Sequence, residues 1–157
     1  MANYYKPIIS NRRAFHDFNI TETWKAGLVL SGAEVKSIRL GRVNFKDSFV
    51  RVDKEELWLY NMHVSEYQNI RTSEDQGDGR PDRKRKLLLK KGEILKISSR
   101  INERGMTAVP LKLFIEGDWI KVEIGLGKAK KLFEKRETLK KKMNVREIEN
   151  ALKKGSR

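Results

Sequence analysis

The 157-residue chain carries 35 Lys and Arg against 21 Asp and Glu, a formal net charge of +14 with a pI near 10.0. That length fits one domain with a real core and leaves little room for a second. The charge selects an anionic partner, nucleic acid before membrane, because no long apolar stretch or strongly amphipathic N-terminal segment is present to insert. Residues 1–10 lack the apolar region of a signal peptide, and the absence of cysteine excludes disulfides, thiolate metal sites and Cys nucleophiles. A soluble, cytoplasmic, monomeric protein is expected.

Residues 1–13 are polar and basic, and Pro7 with Ile8 and Ile9 allows an extended segment at a sheet edge. The cluster Asn11-Arg12-Arg13-Ala14-Phe15-His16-Asp17 follows. There Phe15 and Phe18 would anchor a turn of chain, leaving Asn11, Arg12, Arg13 and His16 facing out. For His16 both a structural hydrogen bond and an RNA contact remain open. Residues 24–30 read as a strand with Trp24, Ala26, Leu28 and Leu30 on one face.

The next stretch organises the chain. Ser31-Gly-Ala-Glu34 has capping-box spacing, and Gly41 stands where a left-handed residue would end the helix. Val35 and Ile38 share a stripe, whereas Lys36, Arg39 and Arg42 point elsewhere. One side is thus offered to a core and a cationic side either to solvent or to something anionic.

Residues 48–52 and 57–64 read as strands joined by a hairpin loop at 53–56. Leu57, Leu59 and Met62 lie inward, which puts Trp58 and Tyr60 on the other face, to stack on bases or to pack against a neighbouring helix. A polar loop spans 68–85, and its basic end, Arg83-Lys84-Arg85-Lys86, runs into Leu87-Leu88-Leu89. The spacing of Ile94, Ile97 and Ile101 predicts a helix over 91–103 stopped by Gly105. Two antiparallel strands, 107–114 and 119–126, follow around a turn at 116–118. Alternation groups Val109, Leu111 and Leu113 on one and Ile120, Val122 and Ile124 on the other.

Short antiparallel strands with inserted helices predict a mostly β fold: a small closed antiparallel β-barrel of oligonucleotide-binding (OB) type spanning 1–127. Residues 128–157 hold 12 basic and 4 acidic residues, against 23 and 17 in the rest, so this basic tail supplies +8 of the charge. Val145, Ile148 and Leu152 form a narrow stripe. A helix starts either near Lys130 or at Asn144, where Glu147 completes a cap. So polar a helix is marginal alone, so the tail is expected to be disordered when free and helical when bound.

No catalytic constellation is present. His16 and His63 are the only histidines, HExxH and GxSxG are missing, and Gly125-Leu-Gly127-Lys128 lacks the rest of a phosphate loop. The expectation is an RNA-binding protein with no enzymatic activity, no metal and no cofactor.

The blocks NRRAFHDF, GAEVKSIRLGRVNFKDSFV, RKRKLLL, VPLKLF and KKLFEKRETLK, in this order and spacing, resemble SmpB, the bacterial tmRNA-binding family of trans-translation, over residues 9–152. The resemblance implies an OB barrel with flanking helices that grips the tRNA-like domain of tmRNA and brings it to stalled ribosomes. There the tail enters the empty mRNA channel beside the decoding centre of the small subunit. Alanyl-tRNA synthetase and elongation factor Tu are implied as indirect partners. Position by position, it places tmRNA binding at Asn11, Arg12, Arg13 and His16. It also places it at Glu34, Val35, Lys36, Ser37, Arg39, Gly41, Arg42 and Asn44, and at Arg83, Arg85, Lys86, Leu87, Leu88 and Leu89. It assigns ribosome contact to Lys128, Lys130, Lys131, Lys135, Arg136, Lys140, Lys141 and Arg146. Two departures stand out: Glu134-Lys135-Arg136 replaces Asp-Lys-Arg, and the family glycine before the paired lysines is Ala129, with Gly127 two positions earlier. A general RNA-binding or ribosomal protein on the same barrel is the second reading.

Overall fold

The computed structural model describes residues 4–67 and 80–155; most of the predicted 68–85 loop, including Gly77 and Gly79, lies outside the described residues. In chain order the elements are β1 (Tyr5–Ser10), α1 (Arg12–Asp17), β2 (Phe18–Leu28), α2 (Gly32–Arg39), β3 (Val43–Asn44), β4 (Phe49–Asp53) and β5 (Glu56–Tyr60). After these come β6 (His63–Val64), β7 (Arg85–Leu88), α3 (Lys91–Ile101), β8 (Met106–Glu116), β9 (Trp119–Ala129) and α4 (Leu132–Gly155).

Seven strands form one sheet in the order β1-β8-β4-β5-β7-β2-β9, and β8 also pairs along its length with β9, so the antiparallel pairings run in a cycle. β3 and β6 make a separate two-stranded ribbon. Inward residues of the large sheet, including Ala26, Leu57, Leu59, Leu87, Leu113, Val122 and Ile124, pack with Ile38 of α2, Met62 and Ile97 of α3 into the main core. Burying each such side chain stabilises the fold by roughly 1.5–3 kcal/mol before conformational entropy is counted.

Turn chemistry matches the hairpins. Lys54 and Glu55 both have positive φ, as a two-residue loop with the twist of its flanking strands demands. Gly117, at φ 63°, turns β8 into β9. Leu57, Leu59 and Met62 are fully buried, as their alternation predicts.

Several expectations need correction. β2 begins at Phe18, six residues before the predicted strand, where polar Asn19, Thr21 and Glu22 hide the pattern. The predicted 57–64 strand breaks at Asn61, whose φ of 62° turns the chain so that residues 63–64 pair with β3 instead. In β8 the register shifts between Pro110 and Lys112, leaving Leu111 as a bulge residue opposite β9. Val109 and Leu111 therefore join Ala14 in a second small core, while Leu113 turns into the main one. Ala14, not Phe15, anchors α1, since Phe15 is exposed and Phe18 only packs on the edge of that second core.

Candidate nucleic-acid interface

Both ends of α2 are built as the sequence predicts. Ser31 Oγ accepts from the Glu34 amide at 3.3 Å, and Glu34 Oε1 accepts from the Ser31 amide at 3.0 Å, completing the capping box. Gly41, at φ 76°, closes the helix by donating its amide to the Ile38 carbonyl at 2.9 Å. Ile38 is buried and Val35 packs on the main core, which turns Lys36, Arg39 and Arg42 outward and carries the exposed face on to Asn44. The Lys36 ammonium lies 5.4 Å from the Tyr67 ring centroid.

Glu34 points inward, away from that face. Its Oε1 also accepts from Arg83 Nη2 and, at 3.2 Å, from Arg83 Nε, and its Oε2 accepts from Arg85 Nε at 2.5 Å. Arg85 is completely buried. Its remaining donors go to the carbonyls of Met62 at 2.6 Å, Arg83 at 3.1 Å and Pro81 at 2.9 Å. A guanidinium taken from water is tolerable only when its charge and its N–H groups are answered; here Glu34 answers the charge, and four of the five N–H groups are bonded. Burial opposes ionisation of Glu34, yet the Arg83 hydrogen bond, the Ser31 amide and the Arg85 charge outweigh it and hold the carboxyl below its ordinary value. Burial lowers the Arg85 value against the pull of Glu34. One acid thus caps α2 and ties it to the strand that opens β7.

Within the basic and apolar run, strand alternation separates the residues by face. Arg85 and Leu87 lie inside, while Lys86 bonds Glu56 at 2.9 Å and Leu88 stands exposed. Leu89 packs on the edge of the core. Arg85, Leu87 and Ser37 are therefore corrected from contact to support, because each is fully or almost fully buried. A basic run reads as surface; the burial of Arg85 depends on an acid 51 positions away, a pairing with no local signal.

Trp58 and Tyr60 pack against neighbouring side chains of the sheet. Tyr60 stacks flat on its cross-strand partner Phe49 with centroids 5.2 Å apart, with the Arg51 guanidinium 5.3 Å from the Phe49 centroid and 5.9 Å from that of Tyr60. Lys84 covers Trp58 at 4.6 Å. The rings pack across the strands, not against a helix.

On α1, Asn11 is a structural cap: its Oδ1 accepts from the Ala14 amide at 3.2 Å and its Nδ2 donates to the Pro110 carbonyl at 2.8 Å. Arg12 and Arg13 are exposed. His16 Nδ1 bonds Asp17 Oδ1 at 2.9 Å, the structural hydrogen bond of its two readings. That bond, reinforced by Lys135 at 3.5 Å, holds the Asp17 carboxyl below its ordinary value although burial opposes it.

The tail grows directly out of the sheet. β9 runs to Ala129, paired with Phe18, so the ladder passes the predicted boundary at 127. A Cβ on Gly127 would lie 2.2 Å from the Asn19 carbonyl oxygen; Gly127 is a close-approach residue in the β2–β9 ladder. Only Lys130 and Lys131 separate β9 from α4. The Lys130 amide donates to the Asp17 carbonyl at 2.8 Å, and Lys130 Nζ donates to the Phe15 carbonyl at 3.2 Å and Thr138 Oγ1 at 3.1 Å. Glu134 accepts from the Lys131 amide at 2.9 Å and from Asn19 Nδ2 at 3.4 Å. Beyond this first turn α4 buries nothing. Asn144 lies inside the helix, so the helix starts at the Lys130 end. Lys128, Lys131, Arg136, Lys140, Lys141 and Arg146 are exposed, with Lys130 and Lys135 half-buried in the joint.

Among the described residues no helix is long and apolar enough to cross a membrane, and no group of three or more His, Cys, Asp or Glu gathers as metal ligands. A family model described as SmpB protein matches residues 8–154. The chain is 50% identical over 147 residues to the SsrA-binding protein of Carboxydothermus hydrogenoformans, covering 94% of this chain and 96% of that one. It is 52% identical over 147 residues to the SsrA-binding protein of Geobacillus thermodenitrificans, covering 93% and 92%. Its fold matches a chain from a solved structure described as "tmRNA-SmpB: a journey to the center of the bacterial ribosome". That match has a TM-score of 0.64 at 42% identity, covering 80% of this chain and 86% of that one.

Proposed function

The chain belongs to the SmpB protein family, and on that premise we propose that it binds the tRNA-like domain of tmRNA and delivers it to stalled ribosomes in trans-translation. The observation that carries this reading is the exposed row of Lys36 and Arg39 on α2, continued by Arg42 in the turn after it and Asn44 in β3, with the other side of α2 locked to the core by Ile38 and to β7 by Glu34. Such a face meets the phosphates of a folded RNA with little loss of side-chain and backbone freedom on binding. Arg12, Arg13, Lys86 and Leu88 extend the proposed surface. Structured RNA is read by shape and 2′-hydroxyls, so the tRNA-like elbow is recognised with little base readout.

The cyclic strand pairing supports reading the sheet as a closed OB-type barrel. The tail, ordered at its base, is disordered beyond the first turn when free and becomes helical as it enters the empty mRNA channel near the decoding centre; the burial of none of its side chains supports this. Alanyl-tRNA synthetase and elongation factor Tu act on the same tmRNA and are indirect partners. A reconstituted tagging assay with tmRNA and stalled ribosomes tests the whole reading: tagging should require this protein. If an equal mass of unrelated structured RNA displaces tmRNA from it, the protein is a general RNA binder instead.

A further inference from the structure

α3 packs one side into the main core through Ile94, Ile97 and Ile101 and leaves Lys91, Leu95, Lys96 and Ser99 exposed. Residues 90–104 hold five basic side chains, Lys90, Lys91, Lys96, Arg100 and Arg104, against Glu93 and Glu103, a net of +3. Both acids are already engaged: Glu93 accepts from the Lys90 amide at 3.2 Å, and Glu103 lies 3.7 Å from Arg100. Arg100 also bonds Glu22 of β2 at 2.6 Å. The other four cations, Lys90, Lys91, Lys96 and Arg104, are exposed and make no ion pair among the described residues. A cluster of like charges with no internal counter-charge favours an anionic surface from outside.

The place of α3 in the fold says which one. The helix is about 16 Å long. It begins just beyond Leu88, where the surface proposed for tmRNA stops, and its far end leads through Arg104 to Met106, which pairs with Lys128 at the root of the tail. That root, where Phe18 pairs with Ala129, is separated from α2, which follows Leu28, by about 36 Å of strand along β2. Arg104 and exposed Lys128 thus join the α3 face to the tail, at the end of β2 remote from α2.

We propose that the exposed face of α3 docks in the minor groove of a ribosomal RNA helix, with its cations on the phosphates and its central stripe on the riboses. An A-form helix offers a wide, shallow minor groove lined with 2′-hydroxyls. Lys91 and Lys96, five residues apart, stand about 140° apart around the helix and so flank the stripe formed by Gly92, Leu95 and Ser99. The Ser99 hydroxyl suits a 2′-hydroxyl as donor or acceptor, and Leu95, 61% exposed, lies on ribose carbons. Gly92 has open space where a Cβ would stand, which lets the backbone come close. The inference rests on the delivery to ribosomes proposed above and adds to the tail a ribosome contact on the body of the protein.

The full chain is titrated in a salt series with vacant ribosomes and, separately, with a transcript of the tRNA-like domain. Replacing Lys90, Lys91, Lys96 and Arg104 together by Ala should lower the salt slope for ribosomes by about 2.8–3.6, four phosphate contacts' worth, and Lys90→Ala with Lys91→Ala by about half as much. The slope for the tRNA-like domain should stay as it is. All four side chains are exposed, and circular dichroism verifies the fold of both variants. A slope that falls for the tRNA-like domain, alone or together with that for ribosomes, would overturn the assignment to ribosomal RNA. Slopes and affinities unchanged for both would mean that the face is only solvated, and weaker ribosome binding at an unchanged slope would point to a protein groove around Leu95; either result sinks the proposal. Each of these outcomes leaves the proposed function standing, whereas a wild type that binds neither tmRNA nor ribosomes overturns that function itself.

Discussion

Removing the Glu34 carboxylate is the most informative single perturbation. In Glu34→Ala the Arg85 guanidinium stays in the core with its carbonyl partners but without its counter-charge, and Arg83 loses its tether. Breaking a buried pair from one side costs roughly 3–5 kcal/mol, and the lost capping box adds about 0.5–1. Against a typical stability of about 5–15 kcal/mol the variant is folded but marginal. Glu34→Gln keeps an acceptor for Ser31 or an arginine and forfeits only the charge, so it should lose less stability and less tmRNA binding. Urea unfolding measures the first quantity and filter binding of tmRNA the second, and the two should fall together across wild type, Gln and Ala. The pH dependence has a definite sign. Because the folded-state carboxyl is depressed, the pair's stabilisation is complete above the ordinary value of 4.5 and is lost as pH falls through the lower folded value. The Ala variant should lack this acid-side loss. An Ala variant of undiminished stability that nonetheless fails to bind tmRNA would refute the tether and place Glu34 against the RNA.

Three further outcomes are expected. Gly127→Ala, which forces a methyl against the Asn19 carbonyl, should destabilise the fold by about 1–3 kcal/mol, measured by thermal melting; an unchanged melting temperature would refute the close approach. Replacing Lys36, Arg39 and Arg42 together by Ala should leave the circular dichroism spectrum intact and reduce the salt slope of tmRNA binding by about 2–3, whereas an unaltered slope would mean the face is merely solvated. Truncation after Lys131, which spares the whole of β9, should retain most tmRNA affinity and abolish tagging on stalled ribosomes; full tagging would contradict the tail's proposed role.

What was legible in the sequence was local. The capping box, the Gly41 stop and the 53–56 hairpin each follow from a few neighbouring residues, and the structure realises all three. Features that require a distant partner were not legible. Arg85 sits among four consecutive cations, and nothing nearby marks it as the one drawn inside by Glu34. The Leu111 bulge turns β8 without any glycine to announce it, and β3 with β6 is too short for alternation to register. The same limit blurred the site: the exposed cations of α2 were readable from helical spacing, whereas the bracing beneath them was not. Gly127 beside a charged tail carries no local sign that it lets two backbones approach.

The two-residue join between β9 and α4 has a mechanical consequence. Once helical, 24 residues rise about 36 Å, so a rotation of ten degrees at Lys130–Lys131 sweeps the far end through about 6 Å. Aim is thus decided at the root. A contact as modest as that between Asp17 and Lys135 sets where Ile148 and Leu152 arrive, and an error too small to disturb the sheet becomes, at the tip, a miss wider than a helical turn.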